Sequence, residues 1–262
     1  MHEIRSPWQV VLHVWHALFM REATARISGD RLGWVWLLAE PIAHVTILIV
    51  LRQLMGRFKT IGGAEFIPWI IVGIMGFLLF RNAMNRSMNA ISANRSLFAY
   101  RQVHPFDTVL IRAVLEGVLK SLVFLLLIAG CNLLDIAMFP DEAIRASGIW
   151  LSLWLLGLGC GLVLSVVITL VQEFAKIVGM ITFPLYFLSG VIVPVQFKPH
   201  FTHEFLLYNP VLHGVELLRL AFFDSYHTID GISLLYMYSW ILALLLIGLM
   251  LHVKLKIRLM AQ

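Results

Sequence analysis

Apolar residues fall in six long runs along this chain, at 33–55, 66–90, 109–134, 147–172, 175–196 and 232–253, separated by short polar stretches. At about 1.5 Å per helical residue, each run is long enough to cross a hydrocarbon core of about 30 Å. The pattern predicts an all-α integral membrane fold with six transmembrane helices. Two further segments are not spans. In the first, Trp8, Val11, Leu12, Trp15, Leu18 and Phe19 recur at helical spacing opposite Gln9, His13 and His16, as in an amphipathic helix lying in the membrane interface. The second is VLHGVELLRLAFF at 211–223, preceded by Tyr208, Asn209 and Pro210: an asparagine cap, then a proline in the first turn. Its thirteen residues make a helix of about 20 Å, too short to cross, so a re-entrant or interfacial helix on the outer side is expected. The expected organisation is an N-terminal interfacial segment, 1–32, and one membrane domain, 33–262, with a cytoplasmic segment at 91–107 and a re-entrant segment on the outer side at 197–231.

Composition agrees, since 60% of the 262 residues are hydrophobic and 13% charged. Direction follows from the basic residues, which accumulate on the cytoplasmic side of membrane proteins. With a cytoplasmic N-terminus, twelve of them fall inside, from Arg5, Arg21, Arg26 and Arg31 to Lys254, Lys256 and Arg258, against six outside: Arg52, Arg57, Lys59, Arg145, Lys198 and Arg219. Six spans then return the C-terminus to the cytoplasm. The start, MHEIRSPWQV, lacks the basic end, short apolar core and cleavage site of a signal peptide, so an uncleaved cytoplasmic N-terminus is expected. The formal charge of +5 is explained by placement beside anionic lipid, without nucleic acid. Cys131 and Cys160 lie inside apolar runs and read as small core residues, with no disulfide or zinc spacing.

Ionisable side chains inside spans cost about 2.5–3.5 kcal/mol each on insertion scales, so each needs a partner or a watery surface. Arg112, Glu116 and Lys120 are spaced by four on one face of the third span, Glu before Lys in the favourable order. Asn82, Asn85, Arg86 and Asn89 form a second polar stripe in the second span, and Glu40, next to Pro41 with His44 a turn on, is a third feature. Two readings stand: the stripes pair with one another inside the bundle, or some of them line a path for a polar or anionic substrate. Gly157, Gly161 and Ser165 make a small-residue ridge for close helix packing. There is no GxxxxGK[ST] phosphate loop, so ATP binding is not expected in this chain, and no cofactor or metal either. HFTHE, with His200, His203 and Glu204, fits no zinc motif and reads as a solvated loop. His104 and Asp107 flank Pro105 and read as a turn before an acid/base pair.

Two local patterns resemble the permease subunit of bacterial ABC exporters for capsular polysaccharide, the group 2 (KpsM-like) family. The first is NRSLFAYRQVHPFDTVLIRAVLE, with Asn94, Arg95, Leu97, Tyr100, Val103, Pro105, Asp107, Arg112 and Glu116 at the family's positions. The second, shared with lipopolysaccharide, teichoic acid and drug exporters, is FLSGVIVPV followed by LLYNPVLHGVELLRLAFF, with Ser189, Gly190, Pro194, Asn209, Pro210 and Arg219. The resemblance implies a homodimer of six-span subunits in the bacterial inner membrane, with separate ATPase subunits holding ATP and Mg. It further implies a periplasmic adaptor, an outer-membrane channel and an acidic polysaccharide on a lipid anchor as cargo.

On this resemblance three groups of site residues are expected. Arg95, Leu97, Phe98, Tyr100, Arg101, Pro105 and Asp107 would form the segment on which the ATPase pushes: a short helix over 92–107, apolar anchors for a partner's groove, a break at His104 before the proline, and Asp107 capping the third span. Trp34, Trp36, Glu40, Phe77, Phe80, Arg81, Asn82 and Tyr186 are the candidate substrate path. Asn209, Pro210, Glu216 and Arg219 are the candidate outer gate. Alternatives are a permease for O-antigen, teichoic acid or a small amphiphile, a membrane enzyme acting on lipid-linked sugars, and a secondary transporter, the last weakened by the lack of an inverted repeat.

Overall fold

The computed structural model describes residues 7–28, 33–55 and 60–261. Arg5, Arg31, Arg57, Lys59 and Gln262, and the side chains of Trp34 and Arg52, lie outside what is described. In chain order the elements are α1 (Pro7–Ser28), α2 (Gly33–Met55), a hairpin of β1 (Thr60–Ile61) and β2 (Ala64–Glu65), α3 (Phe66–Met88), α4 (Ala90–Ala93), a 3-10 turn (Arg95–Ala99) and α5 (Pro105–Leu133). There follow α6 (Ala143–Leu170), α7 (Phe174–Leu188), a 3-10 turn (Val195–Phe197), α8 (His200–Leu206), α9 (Pro210–Phe222), α10 (Leu234–Lys254) and α11 (Lys256–Ala261).

The core is built on α3. Its residues from Pro68 to Phe80 are buried without a break, as expected of a helix apolar all round. The ridge on α6 brings it against α3: a Cβ on Gly157 would stand 2.6 Å from the Phe80 carbonyl oxygen, and one on Gly161 would collide with Ser87. α10 covers another face of α6, where a Cβ on Gly248 would stand 2.6 Å from Leu162 Cβ. A single methyl at these positions would push the helices apart.

Among the described residues, four helices are long and apolar enough to cross a membrane: α3, α5, α6 and α10. α2 is as long as α3 at 23 residues and contains Pro41. The apolar run at 175–196 is not one continuous helix, which corrects that expectation. α7 stops at Leu188 after 15 residues, because the chain turns at Gly190 with φ +68°. α7 has no fully buried residue, and its Ile177, Met180, Ile181 and Phe183, like Trp36, Ile42 and Ile47 of α2, are exposed within one chain. The interfacial stripe of α1 is divided: Trp8 and Leu12 are exposed, whereas Leu18 is buried and Val14, Trp15 and Phe19 pack on a core shared with α5.

The hairpin pairs Thr60 with Glu65 and Ile61 with Ala64. Gly62 and Gly63 both have positive φ, +54° and +97°, as a two-residue type I′ turn requires. The loop after α9 holds it, since His227 N–H donates to the Gly62 carbonyl at 2.9 Å and Ser225 Oγ donates to the Gly63 carbonyl at 3.0 Å.

Candidate functional site

Three clusters of polar side chains hold the helices together, and they contain most of the candidate residues. The first stands at the start of α5. His104 is extended (φ −106°, ψ 152°), the conformation a following proline favours, and Pro105 is the first helical residue rather than part of a turn. Asp107 closes a capping box, its Oδ2 accepting from the His104 N–H at 2.9 Å. Its Oδ1 accepts from Trp15 Nε1 at 2.9 Å, tying α1 to the same point. The His104 ring lies 3.3 Å from Oδ2, so these two groups serve the helix start.

The segment before it differs from the expected single helix. It is built from α4, the 3-10 turn and an irregular passage up to His104, with Asn94 buried and its Nδ2 donating to the Ala90 carbonyl at 2.8 Å. Arg95, Tyr100 and Arg101 face outward. Phe98 does not, which corrects its assignment as an anchor for a partner: at 7% exposure it packs in this chain's own core with Leu18, Ile91 and Val103. Leu97 is half-buried against the same cluster.

The second cluster is a ladder of ion pairs on α5. Arg112 Nε lies 3.1 Å from Glu22 of α1. Glu116, one turn on, lies 3.5 Å from Arg26 of α1 and 3.2 Å from Arg86 of α3. Lys120, another turn on and fully buried, donates to Glu40 of α2 at 3.0 Å, and the other oxygen of Glu40 pairs with Arg81 of α3. The stripes thus pair with one another across helices, the first of the two readings: Arg112 and Glu116 tie α5 to α1, Glu116 also ties it to α3, and Lys120 ties it to α2. Asn82 accepts from Arg81 Nε at 3.2 Å. His44 is bonded back to the Glu40 carbonyl at 2.8 Å.

Of the aromatic path candidates, Phe77 and Phe80 are packed inside α3's core rather than open to a path. Tyr186 reaches them from α7, its ring 4.9 Å from Phe77. Trp36 projects from the exposed face of α2. Glu40, Arg81 and Asn82 are thus brought together, while Trp36 is not part of that group.

The third cluster lies beneath α9. Asn209 caps this helix, its Oδ1 accepting from Val211 N–H at 3.0 Å, and its Nδ2 donates to Ser189 Oγ at 3.0 Å. Pro210 occupies the first turn. Glu216 and Arg219 are both fully buried. Arg219 donates to Glu216 at 2.7 Å, to the Gly190 carbonyl at 2.8 Å and to the Val191 carbonyl at 3.1 Å. The second carboxylate oxygen of Glu216 accepts from Tyr226 at 2.8 Å and Thr228 at 2.6 Å. Burial first, and then the Glu216 charge, push the Tyr226 phenol up to about 12, so it remains a donor. HFTHE is helical in α8 rather than a loop, and His203 Nε2 is within 3.2 Å of the Val195 carbonyl and 3.1 Å of the Lys198 carbonyl. No group of three or more metal-ligating side chains is assembled among the described residues.

Sequence reasoning missed Glu22 as a partner of α5, and Trp69, Tyr226 and Thr228 as partners of the buried pair. Glu22 and Arg26, four apart on α1, were the available signal; nothing local marks the others.

The ladder and the buried pair lie within a stretch that matches the ABC-2 type transporter family over residues 13–223. The chain is 35% identical over 254 residues, 95% of each chain, to the polysialic acid transport protein KpsM of Escherichia coli. It is 31% identical over 235 residues, 89% of this chain and 88% of the relative, to the capsule polysaccharide export inner-membrane protein BexB of Haemophilus influenzae. It is 30% identical over 211 residues, 80% and 78%, to the corresponding protein CtrC of Neisseria meningitidis serogroup B. With every rung of the α5 ladder and the Glu216–Arg219 pair inside the matched stretch, the chain belongs to the ABC-2 type transporter family of membrane proteins.

Proposed function

We propose that this chain is the transmembrane subunit of an ATP-driven exporter that moves lipid-linked capsular polysaccharide across the bacterial inner membrane. The observation that carries the reading is the α5 ladder, in a chain related over nearly its full length to proteins named for polysialic acid and capsule polysaccharide transport. Six cations, Arg21, Arg26, Arg81, Arg86, Arg112 and Lys120, share three carboxylates, Glu22, Glu40 and Glu116. Arg21 and Arg86 are exposed and Lys120 is fully buried, so this positive excess runs from the surface into the bundle, which suits an acidic cargo.

The finer organisation belongs to the same proposal. The chain crosses six times with both termini in the cytoplasm, α2 and α7 joining the four long helices; 1–32 is the interfacial segment, 33–262 the permease domain, and 197–231 the re-entrant part on the periplasmic side. Two copies pair through α2 and α7, each of which carries exposed apolar side chains within one chain, Trp36, Ile42 and Ile47 on α2 and Met180, Ile181 and Phe183 on α7. Separate ATPase subunits, carrying ATP and Mg, dock on the cytoplasmic segment 91–107 through Arg95, Leu97, Tyr100 and Arg101, with Pro105 and Asp107 passing movement into α5. A periplasmic adaptor and an outer-membrane channel take the polymer onward.

Deleting the gene should abolish surface polysaccharide and leave polymer inside the cell, and the intact chain should restore it. Surface polysaccharide unchanged by the deletion, with another surface glycan lost instead, would overturn the cargo assignment.

A further inference from the structure

We propose that the cleft between α5 and α6 is a binding site for a single phospholipid acyl chain, in the leaflet on the α9 side. The inference does not depend on which cargo the protein carries. Both helices pack on α3, and two indoles from α6 bridge to α5: Trp150 Nε1 donates to Ser121 Oγ at 2.8 Å, and Trp154 Nε1 donates to the Ala113 carbonyl at 2.7 Å. Gly117 makes room for the second, since a Cβ there would stand 2.7 Å from Trp154 Nε1. Phe124 stacks on Trp150 with ring centres 4.6 Å apart. Two adjoining hollows of about 410 and 370 Å³ result, sharing Ser121, Leu125 and Trp150.

Chemistry selects the occupant. The side chains lining the hollows that carry hydrogen-bonding groups are Ser121, Ser147, Trp150 and Trp154, and each already donates within the protein. Besides the two indoles, Ser121 donates to the Gly117 carbonyl and Ser147 to the Ala143 carbonyl, both at 2.8 Å. A sugar or a head group would find no free donor there; a hydrocarbon needs none.

Dimensions agree. Along α5 the lining runs from Val114 to Ile128, about 21 Å of helix, enough for an acyl chain spanning a leaflet of about 15 Å. Its outer mouth is framed by Phe139 and Pro140 in the α5–α6 connection, the level at which aromatic side chains meet head groups. Leu79 of α3 lies at the inner end, and Leu218 and Phe222 of α9 close the outer hollow. A helix, about 10 Å across with its side chains, would rest on the rim at Val118, Leu122 and Leu151 without filling the cleft.

The test uses the full-length chain in nanodiscs of phosphatidylethanolamine and phosphatidylglycerol, doped with a phosphatidylglycerol carrying a diazirine at mid-chain. After irradiation, labelled residues are mapped by mass spectrometry. Lining residues of α5 and α6 should carry at least fivefold more label than Leu242 and Leu246 of α10, which are 60% and 57% exposed. Ser147→Trp, which fills the mouth from an exposed position, should reduce that label threefold or more. Ile144→Trp, at a 93% exposed residue outside the lining, should leave it unchanged. Label that simply follows exposure on all helices would overturn the proposal, leaving ordinary lipid contact. Cross-linking between two copies through cysteines at Leu122 and Leu125 would also overturn it, making this face a protein interface.

Discussion

The guanidinium of Arg219 lies 3.5 Å from the centre of the Trp69 ring, and both side chains are fully withdrawn from the surface. The contact joins α9 to α3 across 150 residues of sequence. It also explains Gly73, one turn along α3, where a Cβ would collide with the guanidinium. The charge is tolerable because Glu216 and two backbone carbonyls saturate it.

Removing one member of such a pair is worse than removing both. Arg219→Met strands a buried carboxylate and should cost about 3–5 kcal/mol, lowering the unfolding temperature in detergent and the level in the membrane. The double variant Arg219→Met with Glu216→Gln should recover part of that loss. A double variant as unstable as the sum of the single ones would show that the two side chains do not act as a pair.

Glu40 is placed differently, because it serves two cations. Lys120→Met leaves it paired with Arg81, whereas Glu40→Gln leaves Lys120, which is fully buried, without its carboxylate. Glu40→Gln should therefore destabilise the bundle more than Lys120→Met, and Glu40→Gln with Lys120→Met should be milder than Glu40→Gln alone. Thermal unfolding of the three purified variants checks the order. Equal losses in the two single variants would argue against the pairing.

What the residues reveal in advance is set by how local the physics is. The apolar runs mark α3, α5, α6 and α10 because length and composition suffice. Asn209 and Asp107 announce helix starts because a cap is satisfied within a few residues. Hydropathy overran α7 because it registers apolar residues and not the turn at Gly190. Phe98 was misread because nothing local decides which side of a 3-10 turn faces the core. The ladder's rungs were legible as unpaired charges, but their partners sit up to 90 residues away in sequence, as Arg112 with Glu22 and Glu116 with Arg26 illustrate. The hairpin had a usable sign in Gly62–Gly63, which two long apolar runs concealed.

His213 predicts a pH response at the α9–α10 junction. The ring bridges the Leu207 carbonyl, 2.8 Å from Nε2, and the Ser233 N–H, which donates to Nδ1 at 2.9 Å. Only the neutral ring with its proton on Nε2 satisfies both. Burial holds its pKa below the usual histidine value of 6.5. A depressed pKa favours the neutral folded form, so this stabilisation is complete above about 6.5 and is lost as pH falls towards the folded-state pKa. Hydrogen exchange of the Ser233 amide should accelerate across that window, and His213→Gln, which retains a donor and an acceptor, should flatten the response. Exchange independent of pH, after correction for intrinsic rates, would remove His213 from this role.

The segment before α5 offers a test in which two adjacent aromatics have opposite consequences. Tyr100 is 66% exposed and Phe98 is 7% exposed, although they are two residues apart. Phe98→Ala removes a side chain from the core that α1 and α5 share, and truncations of this kind cost about 3–5 kcal/mol. It should lower the amount of folded protein in the membrane, whether or not an ATPase subunit is present. Tyr100→Ala touches no core residue and should leave membrane level and unfolding temperature unchanged. If this segment receives the ATPase, Tyr100→Ala should still weaken co-purification of that subunit severalfold and reduce export in proportion. Arg101→Ala, also exposed, should act in the same direction and more strongly at low salt, where a rim charge contributes most. Normal ATPase association in both surface variants would place the docking site elsewhere, while the instability of Phe98→Ala would stand as a property of the fold.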